Sequence, residues 1–219
     1  MPLDLEEQEQ LDQLKAFWQK YRNLITGLLT VVLFAYAAYS GYGWWRNSQA
    51  LEASKLYETM ISAVAKGDQE QTLRAANDLQ KDFARTPYAA MSSLIAARIA
   101  ADAGDSAKAI DYLRWTAKNA SDDGYLAIAK LRLVTQLIEQ GGEKDFAEAD
   151  QVLKETPVAG FEALWLERRG DWYLAQKKNA EAKKSYEDAW KVLKQAKEFP
   201  EEARRLLKVK LDAVGGVSQ

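Results

Sequence analysis

Residues 165–190 read WLERRGDWYLAQKKNAEAKKSYEDAW, and a stretch 73 residues upstream carries the same order of small and large side chains. Gly170, Tyr173, Lys177, Ala182 and Tyr186 answer to Ala97, Ala100, Gly104, Ala109 and Leu113, with the same step from 97 to 170, from 109 to 182 and from 113 to 186. A constant step over such a distance marks a repeated structural unit. Its physical content is close packing. Two antiparallel helices approach closely only where one presents Gly or Ala, and the other then sets a large apolar side chain beside it. Gly170 and Ala182 supply the small contacts, and Tyr173 and Tyr186 the large ones.

The step is about twice the tetratricopeptide period of 34 plus a short insertion, so a middle copy is expected within Leu126–Glu155. There Leu133 and Val134 fall near the first small-residue position, Ala147 near the second, and Gly141-Gly142 at the turn. Leu166, Gly170, Tyr173, Ala182, Tyr186 and Ala189 make the last copy the fullest match, while the first copy has Ala97 in place of Gly and Thr116 in the final Ala slot. An ordinary amphipathic bundle is the competing reading, which the constant step disfavours.

Breakers recur along the same region at Gly67-Asp68, Thr86-Pro87, Gly104-Asp105, Asp122-Asp123-Gly124, Gly141-Gly142, Thr156-Pro157 and Gly160. The segments between them have helical apolar spacing and are rich in Ala, Leu, Lys, Glu and Gln, all good helix formers. Gln49–Lys66 and Gln69–Arg85 read as a further hairpin that caps the stack, and Pro200 introduces a last helix, Glu201–Val214. Trp115, Trp165, Trp172 and Trp190 are expected mainly as packing between hairpins, with exposed contact anchors as the alternative.

Upstream of this region, LITGLLTVVLFAYAAYSGYGWW, residues 24–45, holds no charged side chain in a chain that is 28% charged. At about 1.5 Å per residue it covers roughly 33 Å, close to the roughly 30 Å hydrocarbon layer. Thr26 and Thr30 can bond back to their own helix, and Tyr42, Trp44 and Trp45 suit the membrane interface. A cleavable signal peptide is the competing reading, with Ala35-Tyr36-Ala37 as the cut. The leader argues against it, because Asp4, Glu6, Glu7, Glu9 and Asp12 stand where a short basic segment belongs. Lys15, Lys20 and Arg22 outweigh Arg46 and the more distant Lys55, so positive-inside counting places the N-terminus in the cytoplasm and exports the C-terminal part. Leu11, Leu14, Phe17, Trp18 and Tyr21 give the leader an amphipathic helical spacing. The fold class expected is all-α, a single N-terminal transmembrane helix followed by a tetratricopeptide-like α-solenoid of helical hairpins. Its parts are a leader over 1–23, the span over 24–45 and the exported repeat domain over 46–219.

Composition excludes much chemistry. With no cysteine and no histidine, the chain can build no disulfide, thiol nucleophile, imidazole base or Cys/His metal site. Thirty basic and 32 acidic residues leave a net charge of -2 and no basic stripe, so nucleic-acid binding is not expected. The acids Asp122-Asp123 and Glu143, Asp145, Glu148 and Asp150 sit at turns and helix starts, where capping accounts for them. No catalytic, cofactor-binding or metal-binding residue is assigned, and no enzyme activity is expected.

TPYAAMSSLIAARIAADAGD at residues 86–105, the 165–190 repeat, the acidic leader and the Lys/Arg-flanked span ending in Trp44-Trp45-Arg46 together resemble the YfgM-like ancillary SecYEG translocon subunits. The resemblance covers essentially the whole chain and rests on the order of parts. It implies a bacterial inner-membrane protein with a cytoplasmic N-terminus and a periplasmic repeat domain. The partners it implies are the SecYEG translocon, a membrane-anchored periplasmic chaperone of the prolyl-isomerase type, and secreted polypeptides. The alternative function is a membrane-tethered scaffold for envelope assembly or cell-division complexes, which repeat domains of this kind also serve.

In such stacks the first helix of each hairpin lines the binding side. On this register that face holds Met91, Leu94, Arg98 and Ala101 from the first copy, and Leu164, Glu167, Asp171 and Leu174 from the last. The apolar members offer area and the charged ones orientation, a mixture suited to an amphipathic or unfolded segment. Within the span, Ala37 and Gly41 form a small-xxx-small pair where a partner helix could approach.

Overall fold

The computed structural model describes the backbone of residues 5–195 and 200–216, with side chains from residue 10 onward. Among these residues every regular element is an α-helix. In chain order they are α1 Leu5–Ala65, α2 Gln69–Asp82, α3 Pro87–Asp102, α4 Ser106–Asn119, α5 Asp123–Gln140, α6 Glu143–Lys154, α7 Glu162–Ala175, α8 Asn179–Gln195 and α9 Glu201–Ala213. Their ends follow local chemistry. Asp68, Asp105 and Asp122 accept hydrogen bonds from the backbone N–H groups of Gln71 (2.9 Å), Lys108 (3.0 Å) and Tyr125 (3.0 Å), capping α2, α4 and α5. Pro87 opens α3, where its missing N–H costs nothing. The turn inside each hairpin passes through one left-handed residue at the equivalent place: Gly104 (φ 78°), Gly141 (φ 75°) and Lys177 (φ 62°). Glycine adopts that conformation without penalty.

Two compact units divide the chain, Met1–Gln49 and Ala50–Gln219. The first is helical throughout its described residues and contains a segment long and apolar enough to cross a membrane, none of it buried. Thr26 Oγ1 donates to the Arg22 carbonyl and Thr30 Oγ1 to the Thr26 carbonyl (2.7 Å), so both hydroxyls are satisfied within the helix. In the leader, Leu11, Leu14, Phe17 and Trp18 are exposed, and the Phe17 and Tyr21 rings lie 4.8 Å apart.

In the second unit each helix packs on the next, α2 on α3, α3 on α4, and so on to α8 on α9, with α5 also touching α3 and α7. One apolar cluster runs from Ala53 and Met60 of α1 through Leu79, Leu113, Val134 and Leu137 to Trp165. A second joins Ala182, Tyr186, Ala189 and Leu193 of α8 to Leu207 and Leu211 of α9. Polar staples cross between helices. The Tyr112 hydroxyl donates to Asn77 Oδ1 (2.8 Å), Gln80 Nε2 to the Ser93 hydroxyl (2.8 Å), and Arg114 forks onto both carboxylate oxygens of Glu148 (2.8 Å each). The Arg114 bond holds the Glu148 carboxyl below its ordinary range.

The pairing expected in the last copy is present: a Cβ placed on Gly170 would lie 2.3 Å from Cε1 of Tyr186. Tyr186 is fully buried and its hydroxyl is tied to Asp171 Oδ1 (2.7 Å), so the ring has nowhere to retreat. Gly170→Ala gains about 1 kcal/mol of helix propensity but incurs up to about 3 kcal/mol of overpacking, a net loss of about 2 kcal/mol. Thermal unfolding of the detergent-solubilised chain measures it, and an unchanged or raised midpoint refutes the close contact. In the middle copy Val134 occupies the first small-residue position and is fully buried. The second differs from expectation: Ala147 is exposed, and Ala149 is the buried alanine of α6. The reason is register, since α6 begins at Glu143 and places Phe146, not a small residue, four positions into the helix as Ala109 and Ala182 stand in α4 and α8.

The tryptophans of α7 serve as staples. Trp165, 2% exposed, donates Nε1–H to the Leu153 carbonyl (3.2 Å) in the last turn of α6, where Arg169 also donates (2.6 Å). Carbonyls there have no partner within their own helix, so α7 satisfies what α6 cannot. Trp172 donates to the Phe146 carbonyl at the other end of α6 (3.0 Å).

Candidate functional site

The first helices of the three copies, α3, α5 and α7, repeat at steps of 37 and then 36, from Ala97 to Val134 to Gly170. That register generates rows of equivalent side chains. Tyr88, Tyr125 and Phe161 form one row at the N-terminal ends of the helices, and Met91, Ile128 and Leu164 the next; all six are half-buried. Tyr57 of α1 lies beside the first row, its ring 5.5 Å from that of Tyr88. The hydroxyls of Tyr57, Tyr88 and Tyr125 have no hydrogen-bond partner among the described residues. Burial, and then the neighbouring Tyr125 and Tyr88 phenols, raise the Tyr57 hydroxyl above its ordinary range.

The third row, Leu94, Leu131 and Glu167, is buried. Leu94 and Glu167 therefore lie beneath the face on which the sequence placed them. The fourth row is Arg98, Thr135 and Asp171, and the fifth Ala101, Ile138 and Leu174, of which Arg98 and Leu174 are exposed and the rest half-buried. Between the first two copies this face dips into a cleft of about 190 Å³ lined by Ala97, Arg98, Ala101, Leu113, Arg132, Thr135 and Gln136.

At the last copy the face ends differently. Lys210 of α9 reaches Glu167 Oε1 (2.5 Å) and Asp171 Oδ2 (2.8 Å), and Asp171 also pairs with Arg168 (2.7 Å). Both acids are thus engaged within the fold, and α9 stands where a following hairpin would present its first helix. Burial, with Asp171 beside it, drives the Tyr186 phenol far above its ordinary range, so it stays a neutral donor to that carboxylate.

Four of the remaining acids hold structural positions. Asp122 caps α5, Asp145 accepts from the Gly142 N–H (3.2 Å), Glu148 holds Arg114, and Asp150 pairs with Lys154 (2.5 Å). Ala37 and Gly41 lie on α1 with open space around the Gly41 Cα. Sequence reasoning placed Met91, Arg98, Leu164 and Leu174 on the face, but it left out Tyr88, Tyr125, Ile128, Phe161 and Arg132. Carrying the 73-residue step through the middle copy as 37 and 36 would have located Ile128 from Met91 and Leu164 and aligned Tyr88, Tyr125 and Phe161 in one row, but it does not single out Arg132.

Residues 15–216 match the family model described as a tetratricopeptide repeat-like domain. An ancillary SecYEG translocon subunit of Neisseria gonorrhoeae is 32% identical over 216 residues, covering 98% of this chain and 100% of that protein. Proteins of the same name from Aggregatibacter actinomycetemcomitans and Haemophilus influenzae are 27% and 26% identical, each over 86% of this chain and 91% of their own length. No solved structure matches the chain at a significant level.

Proposed function

The chain belongs to the tetratricopeptide repeat-like family of ancillary SecYEG translocon subunits, and on that premise we propose that it is a membrane-anchored adaptor that holds polypeptide segments beside the translocon. The observation that carries this reading is the pair of half-exposed apolar rows, Tyr88/Tyr125/Phe161 and Met91/Ile128/Leu164, presented by successive first helices. Aromatic and aliphatic side chains held on rigid helices offer contact area at little entropic cost, which suits extended chains of varied sequence. The N-terminus is cytoplasmic and the repeat domain periplasmic in this proposal, supported by the Lys15, Lys20 and Arg22 side of the apolar segment. The adaptor links SecYEG to a membrane-anchored chaperone of the prolyl-isomerase type and assists secreted proteins. Met91, Leu94, Arg98, Leu164, Glu167, Asp171 and Leu174 belong to the binding face or directly support it, and Ala37 and Gly41 to a contact within the membrane.

Photocrosslinking side chains at Met91, Ile128, Leu174 and Gly41 of the full chain in intact membranes test this. The face positions are expected to capture secreted polypeptides or the chaperone, and Gly41 a translocon subunit, whereas Arg74 on the exposed side of α2 captures neither. Recovery of division or cell-wall proteins alone overturns the proposal in favour of an envelope scaffold.

A further inference from the structure

We infer that two copies of this chain pair in parallel through a seam on α1 that begins in the leader and runs on into the apolar segment; the inference rests on the reading of that segment as a membrane span. Leu11, Leu14, Trp18 and Tyr21 follow one another at alternating steps of three and four, and the same count continues from Ile25 to Tyr42. In the leader the charged side chains Asp12, Lys15, Lys20 and Arg22 all lie off that count. Taken further back in the sequence it meets Asp4 and Glu7, so the seam starts at Leu11. Steps of three and four make the seven-residue repeat of a left-handed pair of helices, in which each such side chain sits between four of the facing helix.

These side chains are available. Leu11, Leu14, Phe17 and Trp18 are exposed, and Leu14, Phe17, Trp18 and Ile25 border an open hollow of about 480 Å³ that a facing helix can fill. Lipid does not cover them. Because α1 is one helix from Leu5 to Ala65, Leu11 and Leu14 stand roughly 15 to 20 Å before Leu24 at about 1.5 Å per residue. The headgroup layer beside the hydrocarbon is only about 5 to 8 Å deep. Both copies cross the membrane in the same direction, which makes the pair parallel and sets like residues opposite one another. The flanking positions then bring Lys15 against Gln10 of the second copy and Arg22 against its Phe17, so no like charges face each other. Lys15 is already balanced by Asp12 of its own helix (3.3 Å), and a guanidinium over a phenyl ring is a favourable contact. Ala37 and Gly41 fall on the opposite side of α1 from this count. Self-pairing therefore leaves free the face proposed above for a contact within the membrane. Paired copies carry two repeat domains on one anchor, and a polypeptide that engages both gains avidity.

The chain has no cysteine, so single cysteines report the pairing in the full protein. Leu14→Cys and Val32→Cys lie on the count, and Ala16→Cys and Ala37→Cys lie off it. Oxidation of intact membranes is expected to join the first two into a species of twice the chain's mass, about tenfold more than either control, because a disulfide needs the two Cα atoms within about 7 Å. Trp18→Glu sets two carboxylates face to face outside the lipid. Added to Leu14→Cys, it is expected to lower the joined species about tenfold, with membrane insertion and capture by a photocrosslinker at Gly41 unchanged. Equal joining at all four cysteines, joining at none, or joining that survives Trp18→Glu overturns the seam, and capture of a translocon subunit at Gly41 then leaves the adaptor reading standing. A product of any other mass overturns the second copy in favour of a different helix. Release of the chain from membranes by carbonate overturns the span and the seam together.

Discussion

Lys210→Met is expected to destabilise the second unit by about 3 to 5 kcal/mol, and Glu167→Leu in the same chain to recover most of that loss. Lys210 is the cation that meets Glu167, a carboxylate only 4% exposed, and its removal leaves that buried charge without its counter-ion. A methionine keeps the length and apolar stem of the lysine, so packing of α9 through Leu207 and Leu211 is preserved and the electrostatic effect is isolated. Recovery by leucine follows from the repeat itself. Leu94 and Leu131 occupy the equivalent places in the first two copies and are buried there. Asp171 remains satisfied in the double variant by Arg168 and Tyr186. Chemical denaturation of the detergent-solubilised full chain measures all three proteins. A single variant as stable as the parent, or a double variant no better than the single, refutes the pairing as the reason α9 closes the stack.

Trp165→Ala carries a loss of similar size, about 3 to 5 kcal/mol, because a fully packed aromatic leaves a cavity that its neighbours fill only in part. The indole sits between the middle and last hairpins and satisfies a carbonyl at the end of α6. Trp165→Phe retains much of the volume and loses the N–H; it is expected to cost about 1 kcal/mol in hydrogen bonding plus a smaller packing loss. The measurement is paired: unfolding midpoint, and capture of secreted polypeptides by the photocrosslinker at Met91. Unchanged unfolding with lost capture would make Trp165 a contact residue and contradict its burial.

The repeat was legible because its rule is local. Gly170 and Tyr186 lie within one hairpin, and steric fit between them is written in the spacing of small and large residues. Val134 was legible for the same reason, as an apolar residue at a conserved interval in the register. Ala147 was misplaced because the constant step lands on Phe146, one position before it, and α6 buries Ala149 instead; which position of that helix faces the core is set by what packs against it. Arg132 was passed over because it comes to the cleft only when two copies stack, and single-residue reading gives it no more weight than any exposed cation.

The sequence by itself determined the all-helical class, the hairpin boundaries, the apolar segment near the N-terminus and the register of the last copy. Each follows from interactions between residues near in the chain: turn chemistry, capping, hydropathy and the fit of a small residue to a large one a few turns away. Only the tertiary structure decided which charges on the first helices face outward. Glu167 and Asp171 have the spacing of surface groups, yet α9 folds back and brings Lys210 to both of them. Arg98 and Arg132, on α3 and α5, instead line an open cleft. The difference lies in what packs against each helix, and that is fixed by contacts between segments far apart in the chain.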